Sequence, residues 1–403
     1  MTYINAVKYL LSLQNDPLND HAVIERMHTV CDTFGNPQKH LKCIHVCGDV
    51  GKDSCSQMLS SILRIASYRE GVYSVPHSDD FRSCLSVSGK PISYDEFADI
   101  IKSISKAYKT LFKEIIPHRN EVLTLAAILF FYKSGCDTAI FEKSYSKNDP
   151  VNITDTPMVS VITPFIERTV KDGQFDSIVQ KGTTEIVSSP QHKDVYNAIS
   201  NACSLSGSRL TIPVYSEMEI EKITLFKTFF KYRGYNYSVR SFSPCQTVNA
   251  ITAIEVARAL NRIGAQISDE IIAKGLSCAT LDGKCEAISI EPTIILSSTC
   301  EKERLDTLFA SLSQIKELLP RQMSVYIYNE TDISISDFSS SLSVYGIPFL
   351  DIRAISDDDI GDLAKRVVSS LNIDENSSSA AIFIGTRDFI SKAKVIISEC
   401  LSS

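Results

Sequence analysis

The chain reads as an α/β protein with a largely parallel sheet, on three features of its 403 residues. Short β-rich runs alternate with amphipathic helical stretches along most of its length. Its apolar share of 44% is enough for a core in each of about two to three domains. A Gly-containing turn joins its clearest buried strand to a helix, the joint that such sheets use.

The elements follow in order. Residues 1–13 carry Ile4, Val7, Leu10 and Leu11 at helical spacing, with no small-residue cleavage site behind them, so a folded helix is expected rather than a secretion signal. Residues 43–47 read as a buried strand, 54–67 as a helix with Met58, Leu59, Ile62, Leu63 and Ala66 on one face, and 71–75 as the next strand. A long helix is expected over 94–116, where Phe97, Ile100, Ile101, Ile104, Tyr108, Leu111, Phe112 and Ile115 recur in steps of three and four, with Pro117 helping to end it. A more buried helix over 122–133 and strands at 138–142 and 158–163 come next. Residues 165–207 are polar and weakly periodic and fix no element. Helices at 246–263 and 268–276 close this part.

From about residue 280 the alternation restarts: strand 293–296, helix 301–319, strand 324–328, helix 357–371, strand 380–384, helix 389–401. The expected division is a larger domain over 1–279 and a smaller α/β domain over 280–403. No tandem repeat is present, and the serine-rich patch at 376–379 reads as a loop.

Composition excludes several function classes. The 41 Lys plus Arg against 48 Asp plus Glu leave a net charge of −7 with no dense basic block, which argues against a nucleic-acid surface. The longest apolar run, 123–132, is about half of the roughly 20 residues a membrane-spanning helix needs, so no membrane partner is expected. The 12 cysteines include no C-x-x-C pair and read as reduced thiols in cytosol. Cys43 and Cys47 are better explained by core packing than by zinc. All 7 histidines lie between His21 and His192, so the second half of the chain supplies no imidazole.

The local pattern with most chemistry is Gly48-Asp49-Val50-Gly51-Lys52-Asp53-Ser54, between the buried strand and its helix. Such a turn offers backbone N–H groups and the positive end of a helix dipole to an anion, while a lysine offsets phosphate charge. Asp53, however, stands where a Walker motif has Ser or Thr. The alternative is an ordinary strand-to-helix turn with Ser54 as the helix cap.

Its surroundings favour the first reading. Ile44-His45-Val46-Cys47 precedes that turn; Met58-Leu59-Ser60-Ser61-Ile62-Leu63-Arg64, Tyr73-Ser74-Val75-Pro76-His77, Phe81-Arg82 and Gly89-Lys90-Pro91-Ile92-Ser93 follow it. In order and spacing this run resembles the folylpolyglutamate synthase and dihydrofolate synthase family of the Mur-ligase superfamily, with its I-H-V-A-G-T-N-G-K-G-S, M-L-x-x-I-L-R, Y-T-S-P-H-L, F-R-E-R-I and G-x-x-I-S segments. Further matches lie at 137–142, 159–163, 246–250, 283–286 and 292–296. The resemblance implies a Mur-ligase-like central ATPase-type domain with a mostly parallel sheet, a C-terminal Rossmann-like domain, ATP and Mg²⁺ as cofactors, and a folate-like molecule and glutamate as substrates. A cytosolic monomer is also implied.

Carried over position by position, the resemblance makes Gly48, Gly51, Lys52 and Ser54 phosphate-loop residues and Glu142 a metal ligand. The family's other two ligand positions read Val75 and Thr169, and its third loop glycine reads Asp53, whose carboxylate would repel phosphate unless Mg²⁺ or Lys52 screened it. Its glycine-rich G-L-G-G-R is Ser144-Tyr145-Ser146-Lys147-Asn148. Lys181, followed by Gly182, is the counterpart of an active-site lysine that is often carbamylated. Gln246 and Asn249 match H-Q-x-x-N-A with the His replaced by Cys245; Lys284 replaces the Arg of G-R-x-E, without a bidentate guanidinium. His77 and Arg82 fall where the family meets substrate, although Arg82 equally suits a surface pair with Asp79 or Asp80. D-G-A-H-N reads Ser297-Ser298-Thr299-Cys300-Glu301.

Three functions are compatible with this inventory: an active ligase of this type, a degenerate relative that keeps the scaffold as a binding or regulatory module beside an active paralogue, or a nucleotide-binding protein of altered chemistry. The scattered losses favour the degenerate relative.

Overall fold

The computed structural model describes the chain apart from residues 15–19, 77–79, 155, 167–172, 300–304, 321, 348–350, 357–358, 372–378 and 403. It forms two compact units, Met1–Val214 with Asn249–Gly275, and Tyr215–Val248 with Leu276–Ser403. The last of the three boundaries falls after Gly275 rather than at the expected 279/280, and residues 215–248 group with the C-terminal part rather than with 1–279.

In the first unit the strands are β1 (Cys43–Cys47), β2 (Glu70–Tyr73), β3 (Leu85–Val87), β4 (Lys90–Pro91), β5 (Thr138–Lys143), β6 (Val159–Ile162), β7 (Glu185–Ser188) and β8 (Arg209–Thr211). They form one eight-stranded sheet in the order β4-β3-β2-β5-β1-β6-β7-β8, parallel from β2 to β8 and antiparallel at β2-β3-β4. Every residue of β1 is buried, as a central parallel strand covered on both faces requires.

Helices α1 (Tyr3–Leu11), α2 (Val23–Thr33), α3 (Lys52–Ile65), α4 (Tyr94–Leu111), α5 (Arg119–Lys133) and α6 (Lys193–Ser206) belong to this unit. A core of α1, α2, α4 and α5 side chains, including Leu10, Met27, Phe97, Ile101 and Phe131, packs against Tyr73 and Phe141 of the sheet. Helix α5 is apolar nearly all round and correspondingly buried, and a capping box between His118 and Glu121 starts it. Helix α4 ends at Leu111, short of the expected 116, because Phe112 leaves helical geometry and Pro117 disfavours it at Ile116. Ile116 is left 72% exposed.

Helices α7 (Pro244–Arg262) and α8 (Asp269–Cys278) each carry the chain across a boundary between units. In the second unit, β9 (Met218–Ile223), β10 (Thr228–Tyr232) and β11 (Tyr235–Val239) form an antiparallel sheet. Strands β12 (Lys284–Ile290), β13 (Thr293–Ser297), β14 (Gln322–Tyr328), β15 (Asp351–Ile355) and β16 (Ser379–Ile384) form another in the order β12-β13-β16-β14-β15, parallel except for β12. Alternate residues feed two cores: Ile295, Val325 and Ile382 join Phe309 of α9 (Leu305–Gln314) and Phe338 of α10 (Ile335–Tyr345), while Leu296, Tyr326 and Phe383 join Ile360 of α11 (Ile360–Leu371) and Phe389 of α12 (Arg387–Ser402). Of the serine-rich 376–379, residues 376–378 lie outside the described residues and Ser379 opens β16 instead of belonging to a loop. Among those described, no helix is long and apolar enough to cross a membrane.

Candidate functional site

The chain leaves β1 toward β2 on one side and later adds β6 on the other, so strand order reverses beside β1. In open α/β sheets the crevice at the carboxyl ends of such strands is where ligands bind. The loops after β1, β5 and β6 meet there.

The loop after β1 is built on two glycines. Gly48 has φ of +136°, and a Cβ there would lie 2.5 Å from the Thr163 carbonyl oxygen. Gly51 has φ of +88° and lets Asn249 approach, since its Cβ would sit 2.6 Å from Asn249 Oδ1. Between them, Asp49 N and Val50 N both donate to Pro164 O, at 3.0 and 3.2 Å, and Ile166 N donates to Asp49 Oδ2 at 2.8 Å. The loops after β1 and β6 are thereby tied together.

Gly51 is the N-cap of α3 and offers no side chain to cap the helix start. The helix starts at Lys52, two residues earlier than expected, and Ser54 sits in its first turn, 2% exposed. It is therefore not the cap. Lys52 folds back so that its Nζ donates to Gly48 O.

Glu142, at the end of β5, is 2% exposed. Its Oε2 accepts from Val75 N at 3.3 Å, and its Oε1 has no partner. Burial, then the Asp53 charge, push its carboxyl up to about 7 against the pull of the Val75 N–H and Lys52. A buried carboxylate oxygen left unsatisfied beside a phosphate-type loop fits a hard divalent cation. Of the other two expected ligand positions, Val75 offers no side-chain oxygen and Thr169 lies outside the described residues.

The segment after β5 holds its shape with side chains where the family pattern has glycines. Asp149 Oδ2 accepts from Ser144 N and Oγ, both at 2.7 Å; Asn152 Nδ2 donates to Ser146 O and Lys147 O, both at 3.0 Å; and the buried Lys143 ammonium donates to Asn152 Oδ1 and to Ser177 O. Lys143 was not singled out from the sequence, since a lysine in a strand gives no sign that it is buried.

The remaining candidates are scattered. Arg82 is closed on itself: its Nε and Nη2 donate to Asp80 at 3.0 and 2.8 Å, and its guanidinium lies 3.5 Å from the Tyr94 ring centre. Its fork serves that cluster rather than a substrate carboxylate, which is the surface-pair alternative. His77 lies outside the described residues. Lys181 is exposed in the turn that enters β7, and the next residue, Gly182, lies against Thr156, which precedes β6. That is the amino edge of the parallel strands, so the fold does not bring Lys181 to the glycine loop. Gln246, 7% exposed in the first turn of α7, and Lys284, which opens β12 opposite Ser297, belong to the second unit. Thr163, Pro164 and Ser56 emerge only from the structure.

No family model matches the chain. It is 25% identical over 317 residues to the dihydrofolate synthase/folylpolyglutamate synthase of Bacillus subtilis, covering 72% of this chain and 71% of that protein. The chain is similar in sequence to this folylpolyglutamate synthase/dihydrofolate synthase along most of both proteins. Its fold agrees: a Mycobacterium tuberculosis folylpolyglutamate synthase complexed with ADP and AMPPCP superposes with a TM-score of 0.77 at 18% identity, over 98% of this chain and 99% of that one. A folylpolyglutamate synthase–AMPPCP–folate complex gives 0.75 at 18%, over 99% and 100%. The fold is thus that of these solved folylpolyglutamate synthases, an α/β fold with mostly parallel sheets.

Proposed function

We propose that this chain is an ATP-dependent ligase that joins the amine of glutamate to a folate-type carboxylate. The observation that carries this reading is the β1–α3 junction: two glycines at positive φ, a helix start with no side-chain cap, Lys52 at its mouth and the buried Glu142 beside it. ATP and folate enter by analogy with the relatives whose complexes hold AMPPCP and folate.

In the first step a substrate carboxylate oxygen attacks the γ-phosphorus and ADP leaves, giving an acyl phosphate. In the second the glutamate amine adds to the acyl carbon, loses its proton, and expels phosphate. The α3 amides and Lys52 would offset phosphate charge through both steps, and the glycine loop allows the close backbone approach this requires. Glu142 would hold Mg²⁺, which draws charge from the transferring phosphoryl group. The reading places the protein in the cytosol as a monomer.

The degenerate-relative reading is favoured by one set of observations: Val75 at a ligand position and side chains in place of glycines over 144–148. A turnover assay separates the two. With MgATP, dihydropteroate or a reduced folate, and glutamate, ADP release should depend on all three, and Lys52→Ala should lower kcat/KM at least ~100-fold. ATP binding without turnover on any such acceptor would overturn the ligase and leave the binding module.

A further inference from the structure

We propose that Asp53, Ser56 and Glu142 form an oxygen-donor cage for a divalent cation, replacing the ligand that Val75 cannot provide. The inference takes its location from the nucleotide-site reading above, but its donors are particular to this chain.

Two buried oxygens mark the place. Ser56 is 0% exposed and its Oγ has no partner beyond its approach to the Glu142 carboxylate; Glu142 Oε1, also buried, completes no hydrogen bond of good geometry. The Ser56 hydroxyl lies beside Glu142, close enough to favour its charged form. Oxygens of this kind are rarely left bare inside a protein unless something binds them. They come from different elements, α3 and β5, which pack against each other.

Asp53 completes the set. It lies three residues before Ser56 in the first turn of α3, which puts both on one face of the helix. The carboxylate charge of Asp53 is felt at Glu142, and a divalent ion between them would turn this repulsion into shared coordination. The Val75 N–H donates to Glu142 Oε2, which leaves Oε1 as the oxygen turned to the cage. Oxygen donors alone, with no thiolate or imidazole, select a hard ion such as Mg²⁺ or Mn²⁺. An aspartate in a phosphate loop, unfavourable by itself, thus becomes a means of keeping the cation once the ligand at position 75 is gone.

The test uses Mn²⁺ alone, added to the full chain without nucleotide and followed by the loss of the free-ion paramagnetic resonance signal. Wild type should show one site; Asp53→Asn and Glu142→Gln should each weaken it at least ~10-fold and Ser56→Ala about threefold. Asp53→Gly should also weaken it, and Val75→Ser added to Asp53→Gly should restore it, which shows that the fold survived. Wild type without a site below millimolar Mn²⁺, or Asp53→Asn binding within about twofold of wild type, overturns the cage. A chain that holds Mn²⁺ through these residues but binds no ATP supports the cage and sinks the ligase reading instead.

Discussion

Gly51 shows how narrowly single residues define this site. At φ of +88° a side chain there is strained, and its Cβ would meet Asn249 Oδ1 at 2.6 Å. Gly35 has nearly the same backbone, φ +78°, with nothing within 4 Å of its would-be Cβ. Both alanine variants should lose about 1–2 kcal/mol from left-handed strain, read as a shifted urea midpoint at constant slope. Only Gly51→Ala should also weaken ATP binding; equal affinities for the two variants would mean that the Asn249 approach is unrelated to the ligand. The sequence could point to Gly51, Lys52 and Glu142 because a motif and its family likeness fix them in the chain. It could not point to Ser56, whose significance lies in being buried beside Glu142, and it misplaced Lys181, because a match of Lys-Gly says nothing about which end of the sheet the turn occupies.

At the scale of elements, β1 carries a titration of its own. His45 is fully buried, and Thr154 Oγ1, 2.8 Å from its Nε2, already donates to Val151 O, so His45 is the donor of the pair and its Nδ1 is left without a partner. Burial, helped by the Lys143 charge, holds its pKa well below 6.5. The unfolded imidazole takes a proton as pH falls through about 6.5 while the folded one does not. Stability from this group is therefore complete above that pH and drains away below it, by up to about 1.4 kcal/mol per pH unit. His45→Gln should flatten the fall in urea midpoint between pH 6.5 and 5, and an unchanged slope would refute the assignment. Elements with strong period and length, such as β1, α3 and α4, were legible in the sequence. The hairpin β10–β11 was not recognised, although its Arg233-Gly234 turn, both residues at positive φ, joins two aromatic-rich runs in the way two-residue hairpins do. Strand β7 and helix α6 escaped because residues 185–206 are too polar for periodicity to stand out.

For the whole molecule, the proposed cage draws every donor from the first unit, while the second keeps its own cores. The contribution of residues 215–248 to that second unit could not be read along the chain, since it depends on contacts such as Ser241 with Lys284 and Ser243 with Ser311, 43 and 68 positions apart. Phe383, 0% exposed on β16 and stacked on Tyr326 at 5.1 Å between ring centres, is an anchor of one of those cores. Truncating it to alanine should cost about 3–5 kcal/mol and lower the melting of the second unit. Mn²⁺ affinity, measured below that melting point, should stay within about twofold of wild type, because cation and core share no residue and separated sites act independently. If affinity instead fell in step with the loss of the second unit, the cation would have ligands from both, and the assignment of the cage to α3 and β5 alone would fail.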